Sequence, residues 1–423
     1  MANGPRPMTP TLPELCRVFG RIGMLSFGGP AAQISLMHQE LVERRPWLDE
    51  QTYLRALSLC MLLPGPEAMQ LATYAGWRLK GVVGGLIAGS LFVLPGALII
   101  TVLVGLYAAY GDLPMVQAGF LGIKATVIII VIQAVRKLSR KALTKPRYRL
   151  IAGLGFLAIF ALNLPFPLII LCAALWGYVT AGDTSVTEHT SSPALAHPVQ
   201  TAAIWMALWL MPLVALGLAG QDLLADLGWF FARLAVVTFG GAYAVLAYMT
   251  QTVVETYHWI STDQMIDALG LAETTPGPLI LVTQFVAMLT GQQSGGVALG
   301  LAAGAVALWA TFVPCFLWIF LAGPYLDKIA ARPRLAAAMR GVTAAVVGVI
   351  LNLSVWFGMN VLFGQVGVLA WGPLSVPLPD LSSLDIKALA LTIAASVLIF
   401  RLKFGFATAL ALMSLAGLAL EIL

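Results

Sequence analysis

The sequence predicts an all-α polytopic membrane protein built from two inverted-topology repeats with re-entrant or broken helices. Composition, an internal repeat and the distribution of basic residues among the loops carry this prediction. The chain has 423 residues, of which 60% are hydrophobic and 10% are charged. Because soluble proteins carry about 25% charged residues, this chain has too little polar surface to fold as a soluble particle.

Long uncharged runs gather the hydrophobic residues into segments that suit a bilayer. A helix needs about 20 apolar residues to cross the hydrocarbon core, and several segments meet that length. The uncharged runs are 82–110, 115–123, 125–135, 150–182 and 296–326. Residues 1–13 are proline-rich and lack an apolar stretch, so we expect no cleavable signal peptide.

The polar residues indicate neither nucleic-acid binding nor a cofactor. The net charge of +5 comes from basic residues at helix ends and in short loops, a pattern that orients membrane proteins and does not indicate nucleic-acid binding. The four cysteines and four histidines show no metal-ligand spacing. We find no zinc-protease motif, Ser-His-acid set or nucleotide-binding loop, so we expect neither an enzyme nor an ATP-driven pump.

The chain repeats itself. Residues 19–66 align without a gap on residues 231–278 at a shift of 212. The matched motifs are Ser26-Phe27-Gly28-Gly29 on Thr238-Phe239-Gly240-Gly241, and Pro64-Gly65-Pro66 on Pro276-Gly277-Pro278. Beyond residue 76 the second copy has about seven extra residues, and the register resumes at a shift of 219. Paired motifs in one register indicate two related structural units.

Equivalent loops of the two repeats differ in charge, which indicates opposite orientations. Segments rich in Lys and Arg are retained on the cytoplasmic side. In the first repeat the basic segments are 37–50, 78–81 and 136–149, whereas 111–114 has no Lys or Arg. In the second repeat, 250–262 and 289–295 lack basic residues, and the following loop carries Lys328, Arg332 and Arg334. The sequence therefore predicts an inverted repeat.

An inverted second repeat requires one additional membrane crossing between the halves. We predict an N-terminal repeat at 1–181, a polar linker with a linking transmembrane helix at 182–220, and a C-terminal inverted repeat at 221–423. The linking helix is expected at 201–219, which matches nothing in the first half.

Segments 51–77 and 263–290 each have Pro-Gly-Pro near the middle and both ends on one predicted side. Proline removes a helix hydrogen bond and clashes with the preceding turn. We therefore interpret each segment as a re-entrant hairpin or broken helix with Pro-Gly-Pro at its tip. A kinked spanning helix is the alternative.

The four repeated motifs are the candidate substrate-binding residues. Inverted-repeat transporters place their site at broken helices near the midplane. Glycine permits close approach of the backbone, and a helix that starts at a break directs N–H groups at a ligand, which favours an anion. The hydroxyls of Ser26 and Thr238 could add one donor from each half. Packing or kinking is the alternative role of these glycines and prolines.

Ionisable residues in apolar segments are further candidates, because burying charge in a membrane is costly. Arg21 and Arg233 are equivalent in the repeats and could attract an oxyanion with their planar donors, or else anchor helices at the interface. Glu67 and Glu273 lie near the predicted tips and are proton-coupling candidates, with helix capping as the alternative. Lys124 is a secondary charge candidate and has no acidic residue near it in the sequence.

The combination of Ser26-Phe27-Gly28-Gly29-Pro30 with Pro64-Gly65-Pro66, together with their second-half counterparts, resembles the chromate transporter family in its long, two-domain form. The second half departs from the first in reading Gly-Gly-Ala at 240–242. The resemblance implies a secondary transporter that exports chromate across the inner membrane and gives chromate resistance, with sulfate as a competing analogue. A transporter of sulfate or another small anion, or a passive anion channel, remains the alternative, and the oligomeric state stays open.

Overall fold

A computed structural model describes residues 10–181, 197–239, 242–326, 332–372 and 374–422. Most of these residues are helical, and the prediction of an all-α membrane protein with two inverted repeats and broken helices is confirmed. Three residues of the sequence analysis, Gly240, Gly241 and Lys328, lie outside the described part of the chain.

The first repeat is a series of helices separated by short turns. In chain order they are α1 (Leu12–Leu25), α2 (Gly29–His38), which continues as a π-helical turn (Gln39–Arg44), α3 (Glu50–Cys60), α4 (Glu67–Tyr110), α5 (Pro114–Ala142), α6 (Pro146–Phe160) and α7 (Phe166–Val179). The starts of α1 and α3 are capped by Thr11 and Asp49, whose side chains accept hydrogen bonds from first-turn amides.

The linking helix and the second repeat follow. Their elements are α8 (Pro198–Leu218), α9 (Asp222–Val237), α10 (Ala242–Thr250) with a π-helical turn (Gln251–Thr256), α11 (Thr262–Thr274), a 3₁₀ turn (Leu279–Leu281), α12 (Val282–Ala322) with a 3₁₀ turn (Gly323–Tyr325), α13 (Pro333–Leu362), β1 (Val366–Trp371), β2 (Leu374–Pro379), a 3₁₀ turn (Leu381–Ser383), α14 (Ile386–Ser396) with a π-helical turn (Val397–Arg401), and α15 (Phe406–Ile422).

Local irregularities of the backbone recur at the shift found in the sequence. The π-helical turns Gln39–Arg44 and Gln251–Thr256 are related by 212 residues, and so are the helix ends at Leu25 and Val237. π-Helical turns are rare in proteins, so their coincidence is evidence that the two copies share a fold.

Each Pro-Gly-Pro motif interrupts a helical segment, as predicted. The helix after each motif then reverses direction, at Lys80-Gly81 in α4 and at Gly295-Gly296 in α12. The legs of α4 touch through their backbones, because a Cβ on Gly76 would lie 2.2 Å from the carbonyl oxygen of Gly84.

About three of the seven extra residues of the second copy lie before the reversal of α12, and the others lie after it. Gly81 follows Gly65 by 16 residues, whereas Gly296 follows Gly277 by 19. The remaining four residues therefore lie between the reversal of α12 and Pro314, the counterpart of Pro95. The insertion lengthens both legs and leaves the Pro-Gly-Pro break unchanged.

The linking helix α8 lies close to its predicted position of 201–219. Its Trp209 Nε1 donates a hydrogen bond of 2.9 Å to the carbonyl oxygen of Ala310 on α12. An indole N–H buried in apolar surroundings needs an acceptor, and this contact fixes the rotation of α8 against α12.

Five described helices are long and apolar enough to cross a membrane: Glu67–Tyr110, Pro114–Ala142, Pro198–Leu218, Leu279–Tyr325 and Pro333–Leu362. The helices α6 and α7 have 15 and 14 residues, fewer than the approximately 20 that span the hydrocarbon core. They are short because Asn163, with φ 50°, and Pro165 break the chain between them.

A two-stranded antiparallel sheet between α13 and α14 was not predicted. Strand β1 pairs with β2 in a register that places Val366 opposite Pro379, and Ser375 N donates to the carbonyl oxygen of Ala161 at 2.9 Å. The prolines of β2 suit a short edge hairpin, since proline cannot donate to a ladder.

The chain divides into two compact units, each assembled from segments of both repeats. The first unit contains residues up to Val102, Thr184–Gly241 and Thr275–Arg332. The second contains Leu103–Asp183, Ala242–Thr274 and Pro333–Leu423. The predicted sequence domains describe the repeats and remain a prediction.

The packing of α13 against α6 in the second unit predicts the effect of a methyl group at Gly348. A Cβ there would lie 2.0 Å from the carbonyl oxygen of Ala152 and 2.7 Å from the amide nitrogen of Phe156. We expect Gly348→Ala to lower the free energy of unfolding by about 1–3 kcal/mol, because the two backbones must separate. Thermal unfolding of the purified protein in detergent measures this change.

Gly358→Ala on the same helix is the matched control, because a methyl group added there would have nothing within 4 Å of it. Equal destabilisation by the two substitutions would contradict the packing argument.

Candidate functional site

The first Gly-Gly motif ends one helix and starts the next. Gly28 and Gly29 have φ angles of 83° and 77°, a left-handed conformation that residues with a Cβ rarely adopt. Pro30 occupies the first turn of α2, where its missing N–H is harmless. Within the described residues no side chain caps this start, so the first-turn N–H groups of α2 lack the usual side-chain acceptor.

Two backbone hydrogen bonds join the motifs of one repeat to those of the other. The amide of Gly277 donates to the carbonyl oxygen of Ser26 at 2.9 Å, and the amide of Gly65 donates to the carbonyl oxygen of Thr238 at 2.8 Å. Ser26 matches Thr238, and Gly65 matches Gly277, so the two bonds are equivalent under the repeat. All four residues belong to the first compact unit, where the breaks therefore meet as a symmetric pair.

The hydroxyls of Ser26 and Thr238 have partners within their own helices. Ser26 Oγ donates to the carbonyl oxygen of Ile22, and Thr238 Oγ1 donates to that of Leu234, each at 2.6 Å. Both side chains are buried. Their hydrogens thus bind the last turns of α1 and α9, which stabilises helix ends that have lost backbone partners.

Two buried glutamines, which the sequence reasoning missed, support the breaks. Gln33 Nε2 donates to the carbonyl oxygens of Gly277, at 2.6 Å, and Ser26, at 3.2 Å. Gln70 Nε2 donates to the carbonyl oxygen of Pro64 at 2.6 Å.

The side-chain carbonyl oxygens of Gln33 and Gln70 are polar groups within the buried core. Both Oε1 atoms are buried and have no hydrogen-bond partner within the described ranges. Buried polar atoms are normally hydrogen-bonded. The sequence feature that could have identified them is an uncharged polar residue in an apolar segment, a few positions after the Gly-Gly motif or the Pro-Gly-Pro motif of the first repeat.

The part of α4 that follows its reversal at Lys80-Gly81 packs directly beside two of the breaks. A Cβ on Gly96 would lie 2.1 Å from the carbonyl oxygen of Pro276, and one on Gly23 would lie 2.1 Å from that of Leu91. Such contacts are possible only for glycine, and close backbone approach of this kind is typical of helix packing in membranes. The site is therefore enclosed by backbone on this side.

The structure does not bring the two predicted arginines into these hydrogen bonds. Arg233 is exposed on α9, and its Nε donates to the carbonyl oxygen of Trp229 at 3.2 Å. Arg21 is exposed on α1.

Arg21 also acts electrostatically on Glu40, which ion-pairs with Arg44 and Arg45. Burial raises the pKa of Glu40, but hydrogen bonds from the two arginines and the charge of Arg21 together bring it below its ordinary value. The side chain of Arg21 therefore influences the segment that the charge pattern places on the cytoplasmic side.

The two candidate glutamates lie beside the breaks. Glu67 is the first residue of α4, directly after Pro66, and its side chain is partly exposed. Glu273 is buried near the end of α11, where its Oε1 accepts a hydrogen bond of 2.6 Å from Tyr243 Oη. Neither residue has an equivalent in the other repeat.

Folding brings two acids to Lys124, which has none near it in the sequence. Its Nζ lies 2.8 Å from Asp263 Oδ1 and 3.5 Å from Asp267 Oδ1, and both carboxylates come from α11. The nearer acid is 139 residues away in the chain, which is why the local sequence gave no sign of it.

The remaining motif residues fall into two groups. Phe27 is exposed beside the first break, and Phe239 is partly buried beside the second. Pro66 and the second Pro-Gly-Pro are buried, with Gly65 and Gly277 at φ 119° and 94°. Within the described ranges, no three His, Cys, Asp or Glu side chains are grouped so that they could hold a metal ion.

An inverted-repeat membrane protein whose helices break and meet in pairs has the architecture of a membrane transporter. The chain matches the chromate transporter family over residues 13–178 and 225–420, which are nearly all of both repeats. It belongs to that family and is a multi-pass membrane protein.

Two related proteins are named as chromate transport proteins, which is consistent with membership of this family. The chain is 32% identical over 345 residues to a chromate transport protein of Cupriavidus metallidurans, covering 81% of each chain. It is 30% identical over 406 residues to a probable chromate transport protein of Synechococcus elongatus, covering 90% of this chain and 95% of the relative. No solved structure matches the chain.

A shorter relative reflects the repeat. The uncharacterised transporter YwrA of Bacillus subtilis is 29% identical over 157 residues, which make up 36% of this chain but 88% of the relative. One repeat of this chain therefore has about the length of that relative.

The contacts of Gln33 predict a substitution that loosens the paired breaks. Gln33→Ala removes both hydrogen bonds to the motif carbonyls, and we expect the free energy of unfolding to fall by about 1–3 kcal/mol. We also expect transport to fall to less than half of the wild-type rate, because Gly277 is no longer fixed. Thermal unfolding and vesicle uptake measure the two effects.

Gln39→Ala is the control, since Gln39 is exposed in the π-helical turn that follows the same helix. Wild-type stability and transport in Gln33→Ala would show that this glutamine does not support the site.

Proposed function

We propose that this protein is a secondary active transporter that exports chromate across the inner membrane and thereby gives chromate resistance. Membership of the chromate transporter family supports the transport role, and the names of the relatives support the substrate. Membership of a transporter family also supports a role in transport that requires no enzymatic reaction.

The observation that carries the proposal is the symmetric pair of hydrogen-bonded helix breaks. Chromate is a tetrahedral dianion, and the start of a helix offers N–H groups together with the positive end of the helix dipole. The start of α2 and the 3₁₀ turn at Leu279–Leu281 both lack a side-chain cap. Since glycines leave this backbone bare, an oxyanion can approach the amides closely.

In this proposal the repeated motifs bind the substrate and the ionisable residues assist. Ser26, Phe27, Gly28 and Gly29, with Pro64, Gly65 and Pro66, form one half-site; their counterparts Thr238–Gly241 and Pro276–Pro278 form the other. Arg21 and Arg233 attract the anion from exposed positions. Glu67 and Glu273, beside the breaks in the sequence, are candidates for proton coupling.

The membrane potential can drive the proposed export without ATP. Moving a charge through the membrane changes the free energy by about 2.3 kcal/mol per 100 mV. A dianion leaving a cell with a negative interior therefore gains about twice that amount. The cycle would alternate access to the paired breaks from the two sides of the membrane.

Sulfate has the same shape and charge, so a transporter of sulfate or of another small anion is the second candidate function. A passive anion channel is the third. Competition distinguishes the first two, and saturation with counterflow distinguishes a transporter from a channel.

Uptake of labelled chromate into everted membrane vesicles tests the proposal. We expect saturable uptake that falls when the membrane potential is collapsed, and only partial competition by sulfate. We expect Arg21→Ala with Arg233→Ala to reduce uptake at low substrate concentration, because attraction of the anion is lost. Arg17→Ala, an exposed arginine of α1 that is outside the repeat pair, is the control.

Absence of chromate uptake from vesicles that contain the folded protein would refute the function. Unchanged uptake in the double arginine variant would remove Arg21 and Arg233 from the mechanism.

A second test uses the left-handed backbone of the first motif. Gly29 and Gly20 both have open space where a methyl group would be added, but only Gly29 has a positive φ, of 77°. A left-handed residue with a Cβ is destabilised by about 1–2 kcal/mol, so Gly29→Ala should alter the break and lower chromate uptake at least several-fold. Gly20→Ala should retain it, and equal uptake by both variants would contradict a role for this backbone.

A further inference from the structure

A buried charge cluster lies in the second compact unit, away from the repeated motifs in the sequence. It consists of Lys124 on α5, Asp263 and Asp267 on α11, and Tyr107 near the end of α4. Lys124 Nζ lies 2.8 Å from Asp263 Oδ1 and 3.5 Å from Asp267 Oδ1. Tyr107 Oη donates a hydrogen bond of 2.8 Å to Asp267 Oδ2.

The cluster runs from an exposed acid to a buried one. The side chain of Asp263 is 74% exposed, that of Lys124 is 9% exposed and that of Asp267 is 0% exposed. Asp267 Oδ1 is fully buried and has no hydrogen-bond partner in the described residues, because Lys124 turns its ammonium group toward Asp263. One oxygen of a buried carboxylate thus has only the Lys124 ammonium group, at 3.5 Å, as its charge partner.

Stability alone explains this arrangement poorly. Desolvation of a buried ion pair commonly offsets its attraction, and apolar residues of similar size are often as stable. Ionisable residues within a membrane bundle generally mark ion or proton pathways. The arrangement therefore points to a group that changes its protonation state.

The cluster is also absent from the other repeat. At the shift of 212, Asp267 corresponds to Arg55 and Asp263 to Gln51; at the shift of 219, Lys124 corresponds to Thr343. The repeated fold therefore does not require these charges. A coupling site needs only one copy in each transporter, which fits a cluster confined to one half.

We propose that Asp267 is a proton-binding residue that couples chromate movement to proton movement, with Lys124 as its exchangeable counter-ion. A proton from the aqueous side of Asp263 binds Asp267 Oδ1. Lys124 keeps its own proton and then pairs with Asp263 alone. The net charge of the two acids and the lysine rises by one, and Tyr107 continues to donate to Asp267 Oδ2.

Few other charges face the cluster. Asp112, in the turn after α4, acts electrostatically on Tyr107. On α15, which packs against α5 and α11, Glu421 is held by Lys387 of α14 at 3.2 Å. Proton binding is therefore set mainly by Lys124, Asp263 and Tyr107.

This inference rests on the proposed function and refines its coupling step. Glu67 and Glu273 are carboxylates beside the breaks, and neither has a lysine partner among the contacts described above. Asp267, by contrast, is paired with Lys124, which can exchange between Asp267 and Asp263, and Asp263 is exposed. The inference therefore assigns the transported proton to Asp267.

The test uses the full-length protein in liposomes that contain a trapped pH-sensitive dye. Chromate and proton fluxes are measured together at alkaline pH, where chromate is fully deprotonated, with protein-free liposomes as background. We expect the wild type to move protons with chromate. In Asp267→Asn the number of protons moved per chromate should fall at least tenfold, whereas the exposed control Asp226→Asn should keep the wild-type ratio.

A double variant separates coupling from a structural ion pair. If Asp267→Asn fails to fold because Lys124 has lost its buried partner, Lys124→Gln in the same chain removes the unpaired charge. We expect the double variant to transport chromate down its gradient without protons. A double variant with the wild-type proton ratio would overturn the proposal.

Infrared spectroscopy of the purified protein gives a readout that does not depend on transport. The wild type should show a protonated-carboxyl band that grows as the pH falls and is missing in Asp267→Asn. Identical spectra for the two proteins at every pH would refute the assignment. If the wild-type protein moves chromate but no protons, the coupling is refuted and the transport function stands. If the infrared band titrates in a protein that moves no chromate, the proposed function is refuted and the proton site stands.

Discussion

The fold depends on two backbone hydrogen bonds between helix breaks: Gly277 to Ser26 and Gly65 to Thr238. A helix that breaks at membrane depth exposes donors and acceptors that lipid cannot satisfy. Here each repeat supplies the partner that the break in the other repeat lacks. The breaks are therefore stable as a pair, and the sequence must preserve all four motifs together.

This constraint explains where the glycines and glutamines lie. Gly65 and Gly277 take a positive φ that presents their amides across the repeat, and Gly96 allows α4 to touch the backbone of Pro276. Gln33 completes the connection by holding two carbonyls at once. Within the described residues, the start of α2 has no side-chain cap.

The buried residues Lys124, Asp267 and Glu273 are not repeated in this way. The backbone connections are equivalent in the two repeats, whereas Lys124, Asp267 and Glu273 have no counterparts. The two-fold equivalence therefore belongs to the paired breaks and does not extend to these buried charges. The paired breaks and the buried charge cluster can therefore change independently in the sequence, because they use separate residues.

The sequence by itself determined the repeat, its shift of 212, the broken helices and the linking helix, because proline, glycine and runs of apolar residues act locally on the backbone. The family also followed from short motifs. Only the tertiary structure decided that Lys124 meets acids 139 residues away and that Gln33 reaches Gly277 across 244 residues. It likewise turned the hydroxyls of Ser26 and Thr238 toward their own helices and formed the β1–β2 hairpin. These outcomes depend on how helices pack and rotate against one another, and no local pattern in a single sequence specifies that packing.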